Sequence, residues 1–82
     1  MEEYILTFFT HYDAISFARQ LRKQNCEVEL APVPRSLSSS CGTCACFAME
    51  ERQLDLSSFE YEQLFMRQGG KYILVQDNRE IH

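Results

Sequence analysis

The chain has 82 residues, of which 45% are hydrophobic and 24% charged, with six Phe, four Tyr, no Trp, four Cys and a net charge of −4. A chain of this length buries only about 60–65% of its unfolded surface, so it has room for one modest core but not for a spacious enclosed active site with its own cofactor pocket. The acidic balance has the wrong sign for gripping a phosphate backbone by counterion release, which argues against nucleic acid as a partner.

These bounds favour a single domain over residues 1–82 that works from a loop, a sheet edge or its outer surface. Met1-Glu2-Glu3-Tyr4-Ile5 is acidic, and the apolar run from Tyr4 to Phe9 is too short for a signal sequence or a membrane span. A cytoplasmic protein without membrane attachment is expected. In that compartment four Cys read as free thiols, metal ligands or redox groups rather than as two disulfides.

Tyr4 to Phe9 is rich in aromatic and β-branched residues, as a strand covered on both faces should be. Thr10 is placed to cap a helix, with Asp13 at its positive end. From Tyr12 to Gln24, Ala14, Phe17, Ala18 and Leu21 recur at helical spacing while Arg19, Arg22 and Lys23 face water. Cys26-Glu27-Val28-Glu29-Leu30 then alternates strictly and reads as a half-exposed edge strand. Pro32 and Pro34 end its ladder, and the serine-rich stretch after them has no apolar period, so a loop follows.

Cys44 to Met49 returns as a strand, with Cys44, Cys46 and Ala48 on one face and Ala45, Phe47 and Met49 on the other. Ser57-Ser58-Phe59-Glu60 fits a capping box, which predicts a second helix from about Ser58 to Gln68 that buries Tyr61, Leu64 and Phe65 and stops at Gly69-Gly70. Lys71 to Val75 is the last strand, followed by a polar tail from Gln76 to His82. The order β-α-β-β-α-β predicts an α+β, ferredoxin-like fold: a four-stranded antiparallel sheet with two helices on one face.

The cysteines separate by their neighbours. Cys26 alternates with Val28 and Leu30 and reads as a small core side chain. Cys41 instead follows Ser39 and Ser40 and precedes Gly42, at the end of a loop stiffened by two prolines, so an exposed thiol is expected. A glycine lets the backbone bend and present its amide to an anion, and Arg35 adds a positive charge, both of which favour thiolate.

Three readings of Cys44 and Cys46 stand side by side. They pack inward as strand residues, Cys44 forms a redox pair with Cys41, or Cys41, Cys44 and Cys46 ligate zinc. A closed zinc site wants a fourth ligand. Cys26, at the start of its strand, should lie near Met49 and not Cys44, which leaves only His11 and His82, neither at a defined spacing. No metal or other cofactor is therefore expected. The acids Glu50, Glu51, Glu60 and Glu62, with Arg52 and Arg67 nearby, read as solvated surface.

The run Pro32-Val33-Pro34-Arg35 followed by Leu37-Ser38-Ser39-Ser40-Cys41-Gly42 resembles the putative selenium/sulfur carrier protein-like family. The resemblance covers nearly the whole chain, and its specific part is the PVPR…SSCG stretch. It implies a sulfur or selenium carrier whose Cys41 holds a persulfide or selenopersulfide and passes it from a donor to an acceptor protein, so a sulfurtransferase-like carrier more than a turnover enzyme. Pro34, Arg35, Cys41 and Gly42 are the residues the resemblance reaches; Cys44 joins the candidate site through its spacing from Cys41. The competing expectations are a non-catalytic interaction module, pairing as a homodimer through its sheet, and a Cys41/Cys44 thiol-disulfide protein.

Overall fold

Thr10 stands in extended backbone, and its side chain accepts a hydrogen bond from the Asp13 amide, so the chain turns there into helix α1, His11–Lys23. Ala14, Phe17, Ala18 and Leu21 form its buried stripe, and Arg22 and Lys23 lie in the last turn, where cations offset the helix dipole. The fold was obtained as a computed structural model that describes residues 1–79. Of the predicted tail, His82, a candidate fourth metal ligand, lies outside the described residues.

The strands are β1 (Glu2–Thr7), β2 (Val28–Pro32), β3 (Thr43–Met49), β4 (Gln63–Gln68) and β5 (Lys71–Asp77). They form one antiparallel sheet in the order β2-β3-β1-β4-β5. As expected from its alternation, β2 is an edge strand, and Pro32 is tolerated at its end opposite Thr43. Among the described residues no helix is long and apolar enough to cross a membrane.

The predicted four-stranded sheet with two helices is corrected by this arrangement. Among the described residues there is one α-helix, and the sheet has five strands. The expected second helix, Ser58–Gln68, is instead a turn in which the Phe59 amide bonds to the Leu56 carbonyl, followed by β4. Ser57 does not open a capping box: its amide and hydroxyl both donate to Asp55, at 3.1 and 2.7 Å. Gly69 and Gly70, with φ of +54° and +81°, are not a helix stop but the two-residue turn of the β4–β5 hairpin, a conformation that favours glycine at both positions.

The core has two parts because β1 is buried on both faces. On one face α1 lies over β2 and β3, and Tyr4, Leu6, Phe8, Phe17, Ala45, Phe47 and Leu64 fill the space between. Phe17 is its hub, with ring centroids 5.6 Å from Phe8, 5.3 Å from Phe47 and 4.9 Å from Phe59. Leu54, Leu56, Phe59 and Tyr61 pack against this cluster, so an irregular segment supplies the apolar cover expected of a second helix. On the other face Ile5, Cys44 and Phe65 form a smaller cluster, covered in part by Val33 and Leu37 from the long loop.

Candidate functional site

The loop of residues 33–42 joins the two strands of the β2–β3 hairpin. It is closed at its base by the Val33 amide donating to the Gly42 carbonyl at 3.1 Å. Leu37 N–H donates to the Pro34 carbonyl at 3.0 Å, which closes a tight turn around Arg35 and Ser36. Val33 and Leu37 anchor this part to the Ile5–Cys44–Phe65 cluster, and Cys41 packs against the helix-side cluster. The loop therefore passes from one face of the sheet to the other around the end of β1.

Its serines fasten it there. Ser39 Oγ donates to the Phe8 carbonyl at 3.2 Å and accepts the Cys41 amide at 3.4 Å. Ser40 donates its amide to Glu62 Oε1 at 3.2 Å and its hydroxyl to Glu62 Oε2 at 2.6 Å. Glu62 is only 3% exposed, which overturns its reading as solvated surface. A single acid just ahead of an apolar strand carries no sign of burial in the sequence. His11, at the start of α1, lies with Nδ1 3.1 Å from Thr43 Oγ1 and ties the helix to the first residue of β3.

Cys41 is half-buried, where an exposed thiol was expected. Its Sγ donates to the Thr43 carbonyl at 3.4 Å and lies 4.0 Å from Ser39 Oγ. Gly42 has φ +74°, and its amide is taken up by no hydrogen bond among the described residues. Arg35 lies exposed in the Pro34 turn and forms no ion pair among the described residues.

Cys44 is 0% exposed, with its Sγ 3.8 Å from the Pro32 carbonyl. It belongs to the cluster opposite the one that Cys41 packs against. Cys44 and Cys46 do share a face of β3, as their spacing predicted. The two thiols influence each other: the neighbouring Cys46, and then burial, push Cys44 up. Cys44 is the largest influence on Cys46, which is held at about 7, with Arg67 adding to the effect and burial and Glu29 opposing it. Cys26 lies half-buried against the helix-side cluster, and the β2–β3 register places it toward Met49 and away from Cys44. Among the described residues no three His, Cys, Asp or Glu side chains converge as a metal site requires.

The family model described as Putative Se/S carrier protein-like matches residues 3–68, a span that runs from β1 through β4 and includes Cys41. No curated protein and no solved structure matches the chain.

Proposed function

Because the chain belongs to the Putative Se/S carrier protein-like family, we propose that Cys41 carries a sulfane sulfur or selenium atom in the cytoplasm between a donor and an acceptor protein. The Cys41 thiolate attacks the terminal sulfur of a donor persulfide. The donor S–S bond breaks, the donor leaves as thiolate, and Cys41 keeps the persulfide, with no net change of oxidation state. Transfer to the acceptor repeats the step with Cys41 as the leaving thiolate.

The observation that carries this reading is the clasp around Cys41. Ser39 and Ser40 are tied to Phe8 and Glu62, while the Gly42 amide next in sequence is free to receive an anion. Arg35, on the exposed turn of the same loop, supplies a positive charge to that loop. Incubation with a cysteine desulfurase and cysteine, followed by mass spectrometry, should show a gain of one sulfur atom on Cys41. Equal loading of a Cys41→Ser protein, or a gain on Cys46 alone, would sink the proposal.

A second reading, an interaction module, is favoured by β5. Ile73, Leu74 and Val75 are 42%, 49% and 49% exposed on an edge strand, and such strands invite pairing with another chain. A second copy is the expected occupant. Sedimentation should then give a dimer that Leu74→Lys dissociates, and a monomer at every concentration tested refutes this reading.

A further inference from the structure

We infer that the solvent-facing side of the first half of α1, Tyr12 and Ile15 with Phe9 before them and Arg19 after, is the surface on which the persulfide donor protein docks, and that this donor presents apolar side chains ringed by carboxylates. The inference rests on the carrier role proposed for Cys41 and names the surface from which its sulfur is delivered.

Phe9, Tyr12 and Ile15 are 39%, 78% and 46% exposed. A single exposed apolar side chain is ordinary, but three large ones within one short stretch make a patch. Tyr12, Ile15 and Arg19 stand at i, i+3 and i+7, one stripe of the helix surface, away from the stripe of Ala14, Phe17, Ala18 and Leu21 that the core covers. The patch is separate from the exposed residues of β5, because α1 lies over β2 and β3 at the other side of the sheet.

The entry into α1 is also where Cys41 is held. Ser39 Oγ, 4.0 Å from Cys41 Sγ, donates to the Phe8 carbonyl at 3.2 Å. His11 Nδ1 lies 3.1 Å from Oγ1 of Thr43, whose carbonyl accepts Cys41 Sγ at 3.4 Å. Phe8 and His11 therefore both touch residues that hold the thiol, and Phe9 and Tyr12 follow them directly in the chain. A protein that brings a persulfide to a half-buried thiol covers the ground beside it, and here that ground is the start of α1.

Charge selects the occupant. The chain carries −4, yet of its twelve acids only Asp13 belongs to α1 and none belongs to the loop of residues 33–42. Against that one acid, whose carboxylate accepts from Thr10, stand Arg19, Lys23 and, on the loop, Arg35, all exposed. Arg22 is turned to the Val28 carbonyl at 2.9 Å. Asp55 lines the other flank of the helix, beside Ser16, Gln20 and Gln24. An apolar patch with cations beyond it favours a partner with an apolar centre and an acidic rim, and such charges act chiefly on the rate of encounter.

The test compares two sulfur sources on the full chain, with sulfur gain on Cys41 followed over time by mass spectrometry. One source is a cysteine desulfurase with cysteine, at subsaturating concentration. The other is sodium tetrasulfide, from which the Cys41 thiolate takes the terminal sulfur and trisulfide leaves. Tyr12→Ser and Ile15→Ser should each slow loading from the desulfurase by at least about fivefold and leave loading from tetrasulfide unchanged. Arg19→Gln should slow the desulfurase reaction at low salt, and the difference should vanish at high salt. Gln20→Glu, an equal change of charge on the other flank, should leave both rates as they are.

Wild-type rates from the desulfurase in the Tyr12 and Ile15 variants, with Cys41 still loaded by tetrasulfide, overturn the docking surface and leave the carrier role standing. Slowing with both sources overturns it as well, since the residues would then act on the thiol itself. A dimer of the chain that Ile15→Lys dissociates makes a second copy the occupant in place of the donor. Cys41 loaded by neither source removes the carrier role and this inference with it.

Discussion

Ser40 and Glu62 meet through two hydrogen bonds, amide to Oε1 at 3.2 Å and hydroxyl to Oε2 at 2.6 Å, and by that contact a buried carboxylate fastens the residue next to Cys41. Bonds to a charged acceptor contribute about 1.5–3 kcal/mol. Glu62→Ala should therefore destabilise the protein by about that much in urea titrations. In a double-mutant cycle Ser40→Ala and Glu62→Ala should couple by about 1 kcal/mol or more. Additive effects would show that the pair does not hold the loop.

Gly42 has φ +74°, and a Cβ built on it meets nothing within 4 Å. Any cost of substitution is then backbone strain alone, about 1–2 kcal/mol for alanine in the left-handed region and less for asparagine. Denaturation midpoints should rank glycine above asparagine above alanine. Equal midpoints for the asparagine and alanine proteins would contradict strain as the cause.

Tyr4 is 2% exposed and its hydroxyl has no hydrogen-bond partner among the described residues. Tyr4→Phe removes an unsatisfied polar atom and should leave stability unchanged or raise it by up to about 1 kcal/mol. Burial, and then the charges of Glu51, Glu2 and Glu50, hold the Tyr4 phenol above its ordinary value of 10.0. A raised group gives stability that is lost as pH rises, so the wild type should weaken above about pH 10 more steeply than Tyr4→Phe.

Cys44 and Cys46 give stability a dependence on pH with a turning point. Cys46 is lowered from 9.0 to about 7. Between those values the folded chain binds fewer protons than the unfolded one, and stability rises with pH; it is lost as pH falls through about 7. Cys44 is raised, so above about 9 the folded chain retains a proton that the unfolded chain has released, and stability falls again. Under reducing conditions the thermal midpoint should pass through a maximum near pH 9, the ordinary thiol value of 9.0. Cys46→Ser should abolish the rise, and a rise that survives in that variant excludes Cys46 as its source.

Some of the fold is legible because its determinants are local. Thr10, Asp13 and the apolar spacing of α1 lie within one stretch of chain and need no distant partner. The alternation from Cys44 to Met49 likewise places Cys44 and Cys46 on one face whatever lies beside them. The PVPR…SSCG stretch carried the family resemblance, and residues 3–68 match that family.

The second half of the chain is ambiguous by itself. Tyr61, Leu64 and Phe65 satisfy helical spacing, but in β4 Leu64 and Phe65 face opposite sides of the sheet, and both are buried. That burial requires β1 alongside, with α1 and its neighbours on one face and Val33 and Leu37 on the other. Gly69-Gly70 suits a helix stop and a hairpin turn equally, and only the pairing of β4 with β1 and β5 decides between them. Glu62 takes its place in the same way, for its partner Ser40 is 22 residues distant. The sequence alone determined the first helix, the faces of the hairpin strands and the family. Tertiary structure decided the fourth and fifth strands, the clasp on Cys41 and the setting of Cys46, because each depends on groups brought together only by sheet pairing.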